Sequence, residues 1–168
     1  FFIWEGADFI VSMRGTTQAF YDLIDQPQEL FELYKIGRKS GIKFFEMKKE
    51  IIKGHNEAII DNKDYSQMAP LHSVPMLDMD AYALCSPEIF EKIGFENKQK
   101  ILDHFGGGSF YIHALGRAIA PIAAELNNLT ELWLFDDPKC PRYFEDRLHW
   151  RKVTYNVPLQ FYCGPEEF

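Results

Sequence analysis

The stretch Ser-Phe-Tyr-Ile-His-Ala-Leu-Gly-Arg at residues 109–117 decides how the rest of the chain is interpreted. Three glycines precede it, a short apolar run covers residues 110–112, and a helical pattern begins at Ala118. This order predicts a β-strand that ends in a polar loop and leads into a helix. In a parallel α/β sheet or barrel, ligands and chemistry are found at the C-terminal ends of the strands. We therefore interpret His113 either as a functional residue at that edge or as a structural histidine that hydrogen-bonds the neighbouring loop.

The composition predicts a folded, single-domain protein. The chain has 168 residues, of which 46% are hydrophobic and 15% aromatic, enough for one domain with a hydrophobic core. The net charge is −7 and no dense basic cluster is present, which argues against a nucleic-acid partner. No apolar run is long enough to cross a membrane. The short apolar runs therefore predict no membrane partner, and the three widely spaced cysteines indicate reduced thiols in a cytoplasmic protein.

Strand and helix patterns alternate along the chain. Apolar runs predict five strands, at residues 7–13, 71–77, 110–112, 129–135 and 152–157. Helical spacing predicts the intervening helices, at residues 19–24, 27 to about 51, 86–105, 118–126 and 142–150. Gly37 and Gly41 predict a bend or a break in the second of these helices. The alternation predicts a parallel sheet with right-handed crossovers, either part of a (β/α)₈ barrel or a complete flavodoxin-like sheet.

Three acidic side chains follow predicted strand ends and are candidates for the site. Asp78 and Asp80 lie on the loop after the second strand. Carboxylates there could orient a substrate amine, hold a metal or transfer a proton, or they could simply form a local turn. Asp136, in Asp136-Asp137-Pro138 after the fourth strand, repeats the same pattern with the same two interpretations.

Other side chains near strand ends could bind a substrate. Arg14 and Arg117 could each pair with a carboxylate or phosphate, or each could form a structural salt bridge. Tyr82 and Trp150 could stack on a flat ring or pack in the core. Cys85 could approach the site from a strand-to-helix loop, or it could be a buried, inert thiol.

Four stretches, in the expected order, resemble the uroporphyrinogen decarboxylase superfamily, which also contains cobalamin-dependent methyltransferases. The first, within residues 8–33, is a predicted strand and Arg-Gly-Thr followed by Asp-Gln-Pro-Gln-Glu-Leu, and the second, within residues 76–90, is an acidic loop followed by Ser-Pro-Glu-Ile-Phe. The third is Tyr-Ile-His-Ala-Leu-Gly at residues 111–116, and the fourth is Cys-Gly-Pro-Glu-Glu at residues 163–167. The third is similar to a family strand that ends in His-x-Cys-Gly, and the fourth to a Gly-Thr-Pro-Glu-Glu turn.

The resemblance implies a (β/α)₈ TIM barrel with its site at the C-terminal mouth. Residues 1–168 would then form a single domain, the C-terminal part of the barrel, with about five βα units present. It also implies one of two chemistries. Decarboxylases of the family hold a tetrapyrrole over an aspartate without a metal, whereas methyltransferases bind zinc through the His-x-Cys pair and a later cysteine.

Each chemistry meets a departure in this sequence. His113 corresponds to the zinc-binding histidine, but the second ligand position is Leu115, and leucine cannot bind a metal. The family's third zinc ligand would lie beyond Phe168. The decarboxylase aspartate would lie before Phe1, and the tyrosine expected within residues 9–15 is absent.

The favoured interpretation is methyl transfer between a small methylated substrate or thiol and a corrinoid (cobalamin) carried by a partner protein. In that scheme His113 binds zinc or positions the substrate, and Asp78 and Asp80 line the mouth. The substrate contacts are expected from Arg14, Tyr82, Arg117 and Asp136. The alternative is decarboxylation of a uroporphyrinogen in porphyrin (heme) biosynthesis, and a second alternative is a non-catalytic barrel that binds a tetrapyrrole or corrinoid.

Overall fold

The computed structural model describes residues 2–3, 5–59, 75–155 and 157–161. These residues form a mixed α/β fold with one five-stranded parallel sheet in which each strand pairs with the next along the chain. The order has no reversal and therefore differs from that of a flavodoxin-like sheet. The strands are β1 (Phe2–Ile3), β2 (Met76–Leu77), β3 (Gly108–His113), β4 (Leu129–Phe135) and β5 (Leu159–Phe161).

Helices occupy each connection between strands. Their bounds are α1 (Gly6–Arg14), α2 (Thr16–Asp25), α3 (Pro27–Ile59), α4 (Pro87–Ile89), α5 (Phe95–Phe105), α6 (Ala120–Ala123) and α7 (Arg147–Val153). A π-helical turn at Phe90–Gly94 joins α4 to α5, and short 3₁₀ helices lie at Ala81–Leu84, Ala114–Ile119 and Phe144–Asp146. The helix predicted for 86–105 ends where expected, because Gly106 adopts φ +70° and caps it. No helix in the described part of the chain combines the length and apolar character needed to span a membrane.

The prediction of a strand at residues 7–13 is wrong, because these residues form α1. Ala7 and Ile10 are buried one helical turn apart, and α1 packs closely on α3. The contact is so close that a Cβ atom built on Gly37 would lie 2.7 Å from the ring of Phe9. A short apolar run does not by itself distinguish a buried strand from a buried helix. Arg14 consequently lies at the end of a helix and not after a strand.

Gly37 and Gly41 do not break α3, which is continuous for 33 residues. Both glycines are buried and lie on one face of the helix with Leu30, Tyr34 and Phe45. The helical spacing of this buried set explains why tertiary packing overrides the low helix propensity of glycine. The missing side chain at Gly37 is what allows α1 to approach.

The C-terminal part of the sheet differs from the prediction in one strand. A strand was expected at residues 152–157, but α7 continues to Val153 and Thr154 donates its hydroxyl hydrogen to the Trp150 carbonyl oxygen at 2.8 Å. The strand follows later, as β5. The prediction for β4 is confirmed with the same bounds, and β3 is confirmed with extensions at both ends. The helix expected at 118–126 is shorter, and residues 71–74 and 163–167 lie outside the described residues.

The two faces of the sheet have different surroundings. Side chains alternate along each strand, so residues two apart share a face. One face is fully buried against the helices and carries Phe110, Ile112, Leu132 and Leu134. The other face carries the half-buried side chains of Tyr111, His113, Trp133 and Phe135. His113 is therefore at the strand end and on the less covered face.

Candidate functional site

His113 is the last residue of β3 and lies between the ends of two neighbouring strands. Asp80 follows β2, and Asp137 follows β4. Because the strands are parallel, their C-terminal ends meet at one edge of the sheet. The expectation that His113 lies at this edge with an acidic loop beside it is confirmed, and both carboxylates approach its imidazole ring.

Asp137 fixes the orientation of the His113 ring. The distance from His113 Nδ1 to Asp137 Oδ1 is 2.7 Å, and the Leu115 backbone N–H donates to Asp137 Oδ2 at 3.2 Å. A carboxylate only accepts hydrogen bonds, so the hydrogen in the first contact belongs to Nδ1. In the neutral ring Nε2 then carries the lone pair, whereas in the protonated ring Nε2 carries a hydrogen directed at Asp80 Oδ1, which lies 3.5 Å away. The His113 side chain is 35% exposed, so a ligand can reach this nitrogen.

Tyr111 contacts both His113 and Asp80 on the same face of the sheet. Its hydroxyl donates to Asp80 Oδ2 at 2.9 Å, and its ring meets the His113 ring edge-on at 5.1 Å. Burial and the nearby carboxylates of Asp78 and Asp80 raise the pKa of Tyr111 well above its usual value. The phenol therefore stays protonated at neutral pH and remains a donor to Asp80.

The half-buried face next to His113 is aromatic. The Trp133 and Phe135 rings are nearly parallel, 15° apart, with centroids separated by 6.1 Å, and Phe135 also meets Tyr111 at 5.4 Å. A cavity of about 200 Å³ lies against this end of the sheet, lined by Trp133, Leu134, Phe135, Gln160 and Phe161. Flat, apolar groups bind favourably to such a surface.

Asp78 supports the loop rather than contacting the histidine. Its Oδ1 accepts the Asp80 backbone N–H at 2.9 Å, which is the turn-forming contact expected of an aspartate at this position. Burial raises the pKa of the Asp78 carboxyl, and the hydrogen bond from Asp80 opposes that effect. The two predicted acids thus lie on one loop, but only Asp80 reaches His113.

Arg117 and Asp136 hold the neighbouring loops together. The Arg117 guanidinium donates to the carbonyl oxygens of Ala114 at 2.8 Å and Pro141 at 2.7 Å. Asp136 accepts the Tyr143 backbone N–H at 2.8 Å and pairs with Arg142 at 3.0 Å. These contacts join the loop after β3 to the loop after β4, close to the edge where His113 lies.

Two predicted substrate contacts lie away from this edge. The Tyr82 side chain is fully buried, and its hydroxyl donates to the Tyr34 hydroxyl at 3.1 Å, so this ring belongs to the core. Arg14 pairs with Asp22 at 2.8 Å, between α1 and α2. Trp150 is likewise buried, and burial raises the pKa of the Cys85 thiol to about 11, as expected of an inert cysteine.

Two residues of the site were not singled out from the sequence. In the sequence, Asp137 is part of the Asp136-Asp137-Pro138 turn and Tyr111 is part of a strand, and neither pattern marks the residue as functional. The period of two along β3 is the signal that places Tyr111 on the same face as His113. No comparable signal distinguishes Asp137 from its neighbour Asp136.

The described residues do not assemble a metal site. Within them, no group of three or more His, Cys, Asp or Glu side chains is arranged to hold an ion. Leu115, at the position where the resemblance places a zinc-binding cysteine, has a largely exposed side chain. Among the described residues, His113 Nε2 and the Asp80 carboxylate face each other at this edge, whereas a catalytic zinc requires three protein ligands.

Comparison of the chain with protein-family models, curated proteins and solved structures finds no match. The case for a function therefore depends on the geometry at the strand ends and on the resemblance in the sequence motifs.

Proposed function

We propose that this chain is part of a (β/α)₈ barrel of the uroporphyrinogen decarboxylase superfamily, and that it is a methyltransferase. It moves a methyl group between a small substrate or thiol and a corrinoid carried by a partner protein. The observation that carries the proposal is the His113 imidazole held between Asp137 and Asp80 at the C-terminal edge of a parallel sheet.

The strand order supports the barrel. In a (β/α)₈ barrel every strand pairs with the next in sequence, and the order of the five strands here agrees with an arc of such a barrel. The less covered face, with Tyr111, His113, Trp133 and Phe135, would then point to the barrel interior. Its partial burial and its aromatic character agree with that placement.

The His113–Asp137 pair supports proton transfer at a substrate heteroatom. When a methyl group leaves a neutral nitrogen, oxygen or sulfur atom, the C–X electron pair stays on that atom, which then gains a proton. When a thiol accepts the methyl group, its sulfur must lose one. The Nε2 atom of His113 can serve as donor or acceptor in these steps, while Asp137 holds the tautomer and balances the charge on the protonated ring.

The aromatic face beside His113 gives a flat cofactor or substrate a place to lie. The corrinoid, supplied by the partner protein, provides the methyl donor or acceptor. The stacked pair of Trp133 and Phe135 presents its ring surface at the same edge as Nε2 of His113. A zinc ion bound by His113 would need further ligands beyond those that converge among the described residues.

The assay uses methylcobalamin with a small thiol and follows the loss of the methylcobalamin absorbance. We expect the full chain to accelerate the transfer and His113→Ala to reduce the rate by roughly 10²–10⁴-fold, the usual contribution of a general acid or base. The matched control is His104→Ala. His104 also pairs with a carboxylate, Glu46 at 2.8 Å, but it does so between two helices, so its loss should leave the rate unchanged. Equal rates for both variants would contradict the proposal.

The aromatic face also favours a second candidate, decarboxylation of a uroporphyrinogen-like tetrapyrrole. Each pyrrole ring of such a tetrapyrrole is flat and aromatic and could pack on Trp133 and Phe135. Conversion of uroporphyrinogen by the chain, with no methyl transfer, would favour this candidate. Binding of a tetrapyrrole or corrinoid without turnover of either substrate would favour the non-catalytic barrel.

A further inference from the structure

The loop that carries Asp80 is held at both ends from the interior of the protein. At its C-terminal end, the Ala81 backbone N–H donates to Asp8 Oδ1 at 2.8 Å. At its N-terminal end, the Lys98 ammonium group donates to the Asp78 carbonyl oxygen. Asp8 lies on α1 and Lys98 on α5, so two helices remote in sequence fix a four-residue segment.

Lys98 is an unusual residue to find at this depth. Its side chain is fully buried and forms an ion pair with Glu5, whose side chain is also fully buried. Asn97 donates to the other Glu5 oxygen at 2.7 Å, so the pair is embedded in hydrogen bonds. A buried ion pair is often no more stabilising than apolar residues of the same volume. The stability that the Lys98–Glu5 pair contributes therefore does not explain why Lys98 is buried here. The hydrogen bond from Lys98 to the Asp78 carbonyl oxygen does, because it holds the loop.

Asp8 is also costly where it lies. Only 9% of the residue is exposed, and its second oxygen, Oδ2, is buried with no hydrogen-bond partner among the described residues. An unsatisfied buried polar atom destabilises the folded state. A leucine of similar shape would avoid that cost, but it could not accept the hydrogen bond from Ala81. The bond to the loop is what the aspartate provides.

The fixed loop delivers Asp80 to the candidate site. Between its two anchors, Asp80 places one carboxylate oxygen 2.9 Å from the Tyr111 hydroxyl and the other 3.5 Å from His113 Nε2. We propose that Asp8 and Lys98 are positioning residues, which hold the loop so that Asp80 meets Tyr111 and His113. That these two residues contribute to catalysis rests on the proposed function.

The test is carried out on Asp8, because removal of Lys98 would leave the charge of Glu5 buried and unpaired. The Tyr111 ring reports the position of Asp80, since its hydroxyl hydrogen bond affects the chemical shift of its Cζ carbon. The full chain is labelled with ¹³C-tyrosine, and the Tyr111 signal is assigned by its loss in Tyr111→Phe. Asp80→Ala then gives the shift of the phenol without its carboxylate partner.

We expect Asp8→Ala to displace the Tyr111 signal as far as Asp80→Ala does, and the double variant to displace it no further. Asp8→Asn keeps the acceptor oxygen and should restore the wild-type position. If Asp8→Ala does not fold, Asp8→Leu fills the same space without an acceptor and replaces it. The matched control is Asp22→Ala, which removes another buried aspartate that contacts α1 but not the loop. It should leave the signal in place.

The proposal is overturned if Asp8→Ala and Asp8→Leu keep the wild-type Tyr111 signal while Asp80→Ala moves it. It is also overturned if the displacement of the Tyr111 signal in the double variant equals the sum of the displacements in Asp8→Ala and Asp80→Ala. Neither readout requires catalysis, so the positioning of Asp80 is tested whether or not the methyl-transfer assay succeeds. Where that assay does succeed, Asp8→Ala should lower kcat more than Asp22→Ala does, with the loss recovered in Asp8→Asn.

Discussion

Replacement of Asp8 by asparagine should change how the stability of this protein depends on pH. Burial raises the pKa of the Asp8 carboxyl from an ordinary value of 3.8 to about 7, with the positive charge of Lys98 opposing the shift and the negative charge of Asp78 adding to it. In the unfolded chain the carboxyl loses its proton near pH 4, whereas in the folded protein it keeps the proton up to about pH 7. Asparagine keeps the shape of the protonated acid but cannot ionise.

The size of the effect follows from the difference in pKa. Each pKa unit corresponds to about 1.36 kcal/mol, so a rise from 3.8 to about 7 contributes about 4 kcal/mol to stability. Between these pH values the folded state binds one proton more than the unfolded state, so stability falls as the pH rises. The contribution is fully present below about pH 4 and is lost above about pH 7.

The assay is urea denaturation of the wild type and Asp8→Asn at pH values from about 4 to 8, with linear extrapolation to water. Subtracting the two free energies of unfolding removes the contributions of all other titrating groups. We expect the difference to move in favour of the asparagine variant by about 4 kcal/mol across this range. A difference that is constant with pH would refute the reasoning, because it would mean that the Asp8 pKa is the same in the folded and unfolded states.

Two further predictions concern close packing and thiol reactivity. Gly37→Ala should lower the free energy of unfolding by about 1–3 kcal/mol in urea denaturation, because the new methyl group would lie 2.7 Å from the Phe9 ring. Ala normally stabilises a helix relative to Gly, so a more stable variant would contradict the close packing of α1 on α3. Burial raises the pKa of the Cys85 thiol from 9.0 to about 11, so at pH 8 it should react with a thiol reagent roughly 100-fold more slowly in the folded protein than in urea, measured by peptide mass spectrometry. Equal rates in the two conditions would show that burial does not raise the pKa of this thiol.

Local sequence patterns predicted an element correctly where the pattern is compatible with only one type of secondary structure. The run at 129–135 contains the β-favouring residues Thr130, Trp133 and Phe135 and is bounded by turns, and it forms β4 with the predicted bounds. Gly106 predicted the end of α5, because few other residues adopt its left-handed conformation at low cost. The apolar run at 7–13 is compatible with either a buried helix or a buried strand, because the two are equally apolar over seven residues. Tertiary packing on α3 decided between them.

The site was predictable to the level of the strand end and no further. The position of His113 after a strand, with acidic loops on neighbouring strands, placed it correctly at the edge of the sheet. The sequence could not distinguish Asp136 from Asp137, because consecutive side chains in a turn point in different directions. Asp136 faces Arg142, whereas Asp137 faces His113. Tyr82 was expected at the site, but a 3₁₀ helix turns it into the core.

The most direct measurement is the tautomer of His113, read from a long-range ¹H–¹⁵N spectrum of its imidazole at a pH where the ring is neutral. We expect the hydrogen to lie on Nδ1, donated to Asp137 at 2.7 Å, and Asp137→Ala to remove this preference. A hydrogen on Nε2, with a spectrum that does not change in Asp137→Ala, would mean that Asp137 does not hold this ring and would contradict the proposed site.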